Sequence, residues 1–206
     1  MVLGSAGQDG QFLVDLLLRK GFKVLGLRKS RTNNENPLKL LRSEEQVCDI
    51  TEYQKIKTIV NNFEPNYIYN LAAVSSVSQS FNNVEEVISS NSIGFLNILN
   101  IVKDLKRGGR KITVFQASSS EMFGSSDKPL DERSPMMPVS PYAISKSISH
   151  KIANEYRNQY ELPITCGIMF NHESELRPKH FVTQKIVSSL CEIKKGNRSS
   201  IRLGNL

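Results

Sequence analysis

The chain begins with Met1-Val2-Leu3-Gly4-Ser5-Ala6-Gly7-Gln8-Asp9-Gly10, in which a short apolar run meets glycines at every third position. An amphipathic segment follows directly, at residues 11–20. A turn of this kind between a strand and a helix lets the backbone approach a phosphate group, which then sits at the helix N-terminus. Glycine triplets also arise in chance turns, but the place of this one between a strand and an amphipathic segment favours a dinucleotide-binding turn.

Beyond this turn, short β-branched runs alternate with longer amphipathic segments. The alternation is typical of a parallel sheet with crossover helices. It predicts strands at residues 2–3, 23–27, 47–48, 67–71, 111–116 and 164–169, and helices at about residues 11–20, 52–62, 84–106, 142–160 and 181–195. The predicted fold class is α/β, a Rossmann-like doubly wound parallel sheet with helices on both faces. We also expect a mobile surface loop at residues 31–45 and a further strand at residues 200–203.

Composition excludes several classes of protein. The 206 residues are 39% hydrophobic and 23% charged, which is ordinary for a soluble globular chain with one full domain. No apolar run approaches a membrane span and the first residues lack a signal-peptide pattern, so we expect a cytoplasmic protein with no membrane partner. The net charge of +7 would suit nucleic acid, but the basic residues are scattered, and no nucleic-acid partner is expected. Cysteines at 48, 166 and 191 lack metal spacing, so we expect reduced thiols and no metal site.

Tyr142 and Lys146 lie four residues apart, on one face of a predicted helix that begins after Ser140-Pro141. A lysine ammonium beside a phenol favours the ionised phenol, and Ser119, after the strand at 111–116, adds a hydroxyl. Such a triad removes a hydroxyl proton while hydride leaves the same carbon. Although such pairs also occur by accident on helices, the group together with the glycine turn predicts redox chemistry on a bound nicotinamide dinucleotide.

Glu121 is the unusual member of this group, two residues beyond Ser119. Oxidation of an alcohol does not require a carboxylate. A carboxylate is needed to remove a proton next to the ketone that oxidation creates, after which a neighbouring hydroxyl can be expelled. Glu121 therefore predicts an elimination step, and the alternative is an ordinary surface carboxylate or a charge at a helix start.

The residues after the second predicted strand read Leu27-Arg28-Lys29-Ser30-Arg31 and include no acid. A carboxylate at this place would select the ribose 2′-hydroxyl of NAD, whereas a cation would select the 2′-phosphate of NADP. We therefore expect NADP, with NAD the less favoured cofactor. The alternative for this run is a solvated basic loop.

The motifs taken together resemble those of the GDP-mannose 4,6-dehydratase family, within the extended short-chain dehydrogenase/reductase superfamily. The resemblance follows the whole chain in order and spacing, and Asn171-His172-Glu173-Ser174 is its most discriminating part. The other segments that carry it are Gly7-Gln8-Asp9-Gly10, Tyr69-Asn70-Leu71, Gln116-Ala117-Ser118-Ser119-Ser120-Glu121-Met122-Phe123-Gly124, Ser140-Pro141-Tyr142, Phe181-Val182-Thr183-Gln184-Lys185-Ile186 and Leu203-Gly204-Asn205-Leu206.

This resemblance implies an NADP-dependent hydro-lyase of nucleotide-sugar metabolism, on the route to GDP-fucose. It would oxidise C4 of GDP-mannose, eliminate the C5 proton and the C6 hydroxyl as water, and reduce C6. Tyr142 would be the base at the C4 hydroxyl, with Ser119 as its hydrogen-bonding partner and Lys146 as its tuner. Glu121 would be the base at C5.

Further contacts are implied in the same way. Residues 1–170 would form an NADP-binding Rossmann domain, and residues 171–206 would begin a substrate-binding region that is largely absent from the chain. Asn91 resembles the asparagine of the central helix in extended members, and a homodimer or homotetramer is expected. The implied cofactor contacts are Gly4, Gly7, Gln8, Asp9, Gly10, Arg28, Lys29, Asp49, Ile50, Leu71, Ala72, Ala73, Ser75, Tyr142, Lys146, His172 and Arg177. The implied substrate contacts are Ser75, Ser119, Glu121, Asn171 and Lys185.

The chain also departs from the family pattern. Ser119 stands where threonine is usual, and Arg28-Lys29 stands where two arginines are usual. Residues 175–180 replace a glycine-containing loop, so a GDP-linked heptose or another GDP-hexose is an alternative substrate. Two other functions are consistent with the residues: a nucleotide-sugar epimerase or reductase that uses the triad without elimination, and a non-catalytic dinucleotide-binding protein.

Overall fold

The computed structural model of the chain describes residues 1–30 and 38–203. The chain divides into two units, Met1–Phe170 and Asn171–Leu206. The strands formed by the described residues belong to the first unit, and the second unit contains one long helix.

The first unit is built on a six-stranded sheet whose neighbouring strands are all parallel. Across the sheet the order is β3-β2-β1-β4-β5-β6, so the direction of winding reverses between β1 and β4. Such a reversal leaves a crevice beyond the carboxyl ends of the two strands, where ligands bind in open α/β sheets. The strands are β1 (Val2–Leu3), β2 (Leu25–Arg28), β3 (Glu44–Val47), β4 (Tyr67–Asn70), β5 (Thr113–Ser119) and β6 (Ile164–Met169).

The helices of the described residues connect these strands, and one follows the sheet. A 3₁₀ turn, Ser120–Phe123, comes directly after β5, and a π-helical turn, Ser89–Ile93, joins α4 to α5. The helices are α1 (Gln8–Arg19), α2 (Tyr53–Phe63), α3 (Val77–Ser80), α4 (Val84–Ile88), α5 (Gly94–Arg107), α6 (Pro141–Tyr160) and α7 (Val182–Lys194).

Helices pack on both faces of the sheet. Val2 of β1 lies in a cluster with Val14 of α1, whereas its neighbour Leu3 lies in the larger cluster on the other face. That larger cluster includes Ile56 of α2 and Phe95 of α5. Alternate residues of a strand point to opposite faces, so this division confirms the predicted doubly wound arrangement.

Two helices differ from their predictions, one in where it begins and one in its interior. Helix α1 begins at Gln8 rather than at residue 11, because the Gln11 N–H already donates to the Gly7 carbonyl at 3.0 Å. The helix predicted at residues 84–106 contains the π-helical turn, in which one wider turn interrupts the regular hydrogen bonding. Such turns are frequent at functional sites, and Asn91 lies within this one.

The third predicted strand, at residues 47–48, is displaced from the observed β3. Glu44, Glu45 and Gln46 of β3 are exposed. In the part of the chain that the structure describes, β3 lies at the edge of the sheet and pairs with β2 alone. A polar edge strand has no apolar period to predict it. The loop expected at residues 31–45 therefore ends earlier, and residues 31–37 of it lie outside the described residues.

The strand expected at residues 200–203 is not observed, and these residues have no regular secondary structure. Residues 204–206, which complete the last quoted motif, lie outside the described residues. Among the described residues, no helix has both the length and the apolar character that crossing a membrane would require.

Candidate active site

The turn between β1 and α1 contains two glycines that other residues could not replace without strain. Gly4 has a φ of +79°, and a Cβ there would lie 2.8 Å from the backbone nitrogen of Ala72. A Cβ on Gly10 would collide with the Gly4 carbonyl oxygen and lie 2.8 Å from Cα of Ser5. The start of α1 is thereby held against the end of β1, with Gly7 as its N-cap. The first-turn N–H groups of a helix lack intrahelical acceptors, so this turn fits a pyrophosphate.

A cavity of about 340 Å³ opens beside this turn, at the point where the sheet reverses. Its walls come from the ends of β1, β2 and β4 and from α4 and the π-helical turn. The candidate cofactor contacts that line it are Gly4, Gly7, Arg28, Lys29, Asp49, Ile50, Leu71, Ala72 and Ala73. Residues at the same walls that the sequence analysis missed are Ala6, Leu27, Cys48, Val74, Glu86 and Ser90.

Both cations expected to select NADP are paired with carboxylates. The Arg28 guanidinium lies 2.8 Å from a carboxylate oxygen of Glu45, and its Nε donates to the Ser30 carbonyl. The Lys29 ammonium lies 2.8 Å from Glu86 and 3.3 Å from Asp49. The hydrogen bond with Glu86 is the main cause that raises the pKa of Lys29. Three carboxylates thus lie beside these cations, although no acidic residue directly follows β2 in the sequence.

Lys146 is buried, with 4% of its surface exposed, and its Nζ donates to the Ala117 carbonyl of β5 at 2.9 Å. Burial lowers the pKa of this lysine to about 8. Its Nζ lies 5.7 Å from the centre of the Tyr142 ring, one turn earlier on α6. The Lys146 ammonium and the Tyr142 phenol, which are expected to act together, are therefore both buried and adjacent near the end of β5.

Ser119 and Glu121 lie where β5 gives way to the 3₁₀ turn. The Ser119 hydroxyl oxygen accepts the Glu121 backbone N–H at 3.2 Å and so caps the turn. Helix α6 packs against both β5 and this turn. The structure thus brings Ser119 and Glu121 alongside the helix of Tyr142 and Lys146, although a long connecting segment separates the turn from that helix in the sequence.

The start of α6 is fixed by local sequence and by a buried polar network. The Ser140 hydroxyl accepts the Ala143 N–H at 3.1 Å, and Pro141 occupies the first turn. Asn91 of the π-helical turn donates to the Ser145 hydroxyl at 2.9 Å and exchanges hydrogen bonds with the backbone of Val74. This asparagine therefore ties the loop after β4 to α6.

Serines next to this asparagine extend the network, and the sequence analysis missed them. Ser92 donates to the Ser145 carbonyl at 3.0 Å, and Ser149 donates to the carbonyls of Asn91 and Ser145. Small serines at positions 145 and 149 of α6 are four apart, a spacing that places both on the side facing the π-helical turn. The spacing is the signal that could have identified this contact.

Several implied contacts lie outside the cavity wall. Gln8, Asp9 and Gly10 form the first turn of α1, behind Gly7. Ser75 is exposed in the loop between β4 and α3. Its neighbour Ser76 caps α3 by accepting the Gln79 N–H.

The remaining candidate residues belong to the second unit. Arg177 lies 3.5 Å from the Glu173 carboxylate, and its guanidinium stacks 3.7 Å above the Phe181 ring. His172 is half-buried and Asn171 is exposed in the segment before Arg177. Lys185 lies in the first turn of α7, where its N–H donates to the Phe181 carbonyl.

A family described as GDP-mannose 4,6 dehydratase matches residues 1–206. The chain belongs to this family. It is 37% identical over 218 residues to GDP-mannose 4,6 dehydratase 2 of Arabidopsis thaliana, covering 100% of this chain and 58% of that protein. It is 36% identical to GDP-mannose 4,6-dehydratase of Sinorhizobium fredii, covering 62% of that protein. The family member described here thus spans about 60% of the length of these curated relatives.

Solved structures show the same fold at lower identity. The dTDP-glucose 4,6-dehydratase of Streptomyces venezuelae, solved with NAD bound, has a TM-score of 0.81 and 24% identity, with 93% of this chain and 61% of that chain covered. UDP-glucose 4-epimerase of Brucella ovis, solved in complex with NAD, has a TM-score of 0.72 and 22% identity, with 82% and 51% covered. These similarities establish the Rossmann-like fold.

Proposed function

We propose that the protein carrying this chain is a GDP-mannose 4,6-dehydratase, which converts GDP-mannose to the 4-keto-6-deoxy GDP-sugar with NADP as its cofactor. Family membership supports the substrate class and the reaction. The observation that carries the proposal is the placement of α6. Buried Lys146 lies beside Tyr142, and the same helix packs against the turn that holds Ser119 and Glu121.

The first unit fits a nicotinamide dinucleotide. The glycine turn would hold the pyrophosphate, and the cavity beside it would hold the adenosine between Asp49, Ile50 and the small residues Ala72 and Ala73. The solved relatives that contain NAD support this assignment. When bound, the nicotinamide accepts hydride from a sugar carbon and can return it to another. Lys29, which lines this cavity with Arg28, is the cation that we assign to the 2′-phosphate.

Tyr142 would take the proton of the sugar C4 hydroxyl at its phenol oxygen. The ammonium of Lys146, 5.7 Å from the ring centre, favours the ionised phenol that this step needs. Because the Ser119 oxygen accepts the Glu121 N–H, the Ser119 O–H is directed elsewhere, and we assign it as a donor to the C4 oxygen. Two groups thereby hold the oxygen from which the proton leaves.

Glu121 would remove the C5 proton after C4 has become a ketone. The ketone acidifies C5, so the electron pair of the C5–H bond can form a C5–C6 double bond while the C6 hydroxyl leaves. That hydroxyl departs with a proton, as water. The short 3₁₀ turn suits this role because it places the Glu121 carboxylate only two residues beyond Ser119, the residue assigned to the C4 oxygen. Asn171 and Lys185 are proposed as contacts of the nucleotide sugar on the family resemblance alone.

An epimerase or a reductase is the alternative function. The fold does not separate it from a dehydratase, since UDP-glucuronic acid 4-epimerase of Bacillus cereus matches with a TM-score of 0.80, close to the 0.81 of the dTDP-glucose dehydratase. Neither epimerisation at C4, which proceeds by oxidation and reduction of that carbon, nor simple reduction requires a base at C5. Glu121 therefore distinguishes the two functions.

The test is incubation of the protein with NADP and GDP-mannose, with the product identified by NMR. The proposal predicts the 4-keto-6-deoxy product without net formation of NADPH. Glu121→Gln should abolish the product, whereas the exposed control Glu132→Gln should leave it unchanged. Absence of product from GDP-mannose, other GDP-hexoses and a GDP-heptose would overturn the proposal. An active Glu121→Gln variant that interconverts epimers would favour the alternative.

A cytoplasmic location and a homodimer or homotetramer are part of the same proposal. Apolar side chains of α6 and the π-helical turn support association, since Ile144, Ile148 and Ile93 are all exposed on the chain. Light scattering on the purified protein would measure the oligomeric state, and a monomer at micromolar concentration would contradict it.

A further inference from the structure

The two cations that line the adenosine end of the cavity are both paired with carboxylates. Two cations, Arg28 and Lys29, meet three carboxylates, Glu45, Asp49 and Glu86. These acids come from β3, from the residues after it and from α4, so the local sequence around the cations does not show them. A phosphate group that approaches this end therefore meets cations that are already neutralised.

We propose that Glu86 narrows the preference for NADP over NAD by holding the Lys29 ammonium. The proposal rests on the dinucleotide site of the proposed function. NADP differs from NAD only by a 2′-phosphate, which needs a cation and is repelled by a carboxylate. Glu86 forms an ion pair with Lys29 and adds a negative charge at the cavity wall. Both effects weaken binding of the 2′-phosphate, which NADP has and NAD lacks.

Of the two carboxylates on Lys29, Glu86 makes the closer contact and has fewer other hydrogen-bonding roles in the site. The Lys29–Glu86 contact is 2.8 Å, shorter than the 3.3 Å contact with Asp49. One oxygen of Asp49 also accepts the N–H and the hydroxyl of Thr51, which fixes that carboxylate in the loop after β3. Glu86 instead receives one hydrogen bond from the Asn83 amide on an exposed helix. Glutamine at position 86 can keep the hydrogen bond from Asn83 through its one carbonyl oxygen, and it removes the charge and the second acceptor that hold Lys29.

The experiment measures the dissociation constants of NADP and NAD by calorimetry, without substrate, in the whole protein. Glu86→Gln is expected to tighten NADP about fivefold, the size expected for one partly exposed charge pair, and to change NAD by less than about twofold. The matched control is Glu85→Gln, at the exposed neighbouring position of α4, which does not line the cavity. It should change neither constant.

A second variant tests whether Glu86 acts through Lys29. Lys29→Gln is expected to weaken NADP binding, and in that background Glu86→Gln should lose most of its effect on NADP. If Glu86→Gln leaves NADP binding unchanged or weakens it while both dinucleotides bind the unaltered protein, the role of Glu86 is refuted. If neither dinucleotide binds the unaltered protein, the cofactor of the proposed function is refuted instead.

Discussion

Replacement of Lys146 by methionine should stabilise the protein at neutral pH while abolishing its activity. Burial lowers the pKa of Lys146 from 10.5 to about 8, a difference of 2.5. Each unit corresponds to about 1.4 kcal/mol, so at pH 7 the buried charge costs about 3 kcal/mol of the free energy of unfolding. Loss of the hydrogen bond to the Ala117 carbonyl costs about 1 kcal/mol in the variant. Lys146→Met should therefore be about 2 kcal/mol more stable at pH 7.

This advantage should depend on pH in a defined direction. Below pH 8 both states bind the proton and the cost is fully present. Between pH 8 and 10.5 the unfolded chain still binds the proton of Lys146 and the folded protein releases it, so the unaltered protein gains stability as pH rises. The difference between the two proteins should fall to about zero near pH 9.5. Methionine itself does not titrate.

Urea unfolding followed by circular dichroism at pH 7 and near pH 9.5 measures both quantities. The control is Lys151→Met, an exposed position of the same helix, which should change stability by less than about 0.5 kcal/mol at either pH. The reasoning would be refuted if Lys146→Met were less stable than the unaltered protein at pH 7, or if the difference did not change with pH.

The other predictions concern single residues of the site. Tyr142→Phe should lower turnover by at least about a hundredfold, since it removes the proton acceptor, and leave the dissociation constant of NADP within about twofold; an unchanged rate would exclude Tyr142 as the base. Glu121→Gln should stop the incorporation of solvent deuterium at C5, measured by mass spectrometry of the sugar, and incorporation at the normal rate would assign that proton to another base. Gly10→Ala should destabilise the protein by about 2 kcal/mol in urea unfolding, because the new Cβ would collide with the Gly4 carbonyl. Gly7→Ala should destabilise it less, since the nearest atom to a Cβ there lies at 3.3 Å. Equal losses of stability would contradict the close approach at Gly10.

Much of the fold could be predicted because its buried strands are apolar and its turns carry distinctive residues. Strands β4, β5 and β6 read as short apolar runs, and all three share a buried core with α5. Ser140 and Pro141 indicated the start of α6 to within one residue, since the serine caps the helix and proline suits its first turn. Local sequence determines features of this kind, so local patterns reveal them.

The parts that the sequence did not reveal depend on contacts between distant residues. Glu45 and Glu86 lie 17 and 57 positions from the cations that they pair with, so the absence of an acid after β2 was a poor guide to the charge at the cavity. Edge strand β3 is polar because its outer side is exposed, and its pairing with β2 depends on backbone hydrogen bonds. The π-helical turn likewise depends on Asn91 meeting Ser145 of another helix. No local period encodes the two charge pairs or the pairing of β3 with β2.

In the proposed reaction, one sugar is oxidised, dehydrated and reduced in place by the groups gathered around α6. GDP-mannose labelled with deuterium at C4 tests it most directly, with the position of the label in the product read by NMR. If one site performs all three steps, the deuterium should move to C6 of the same molecule and a solvent proton should appear at C5. Deuterium that is lost to solvent, or that stays at C4, would contradict the account.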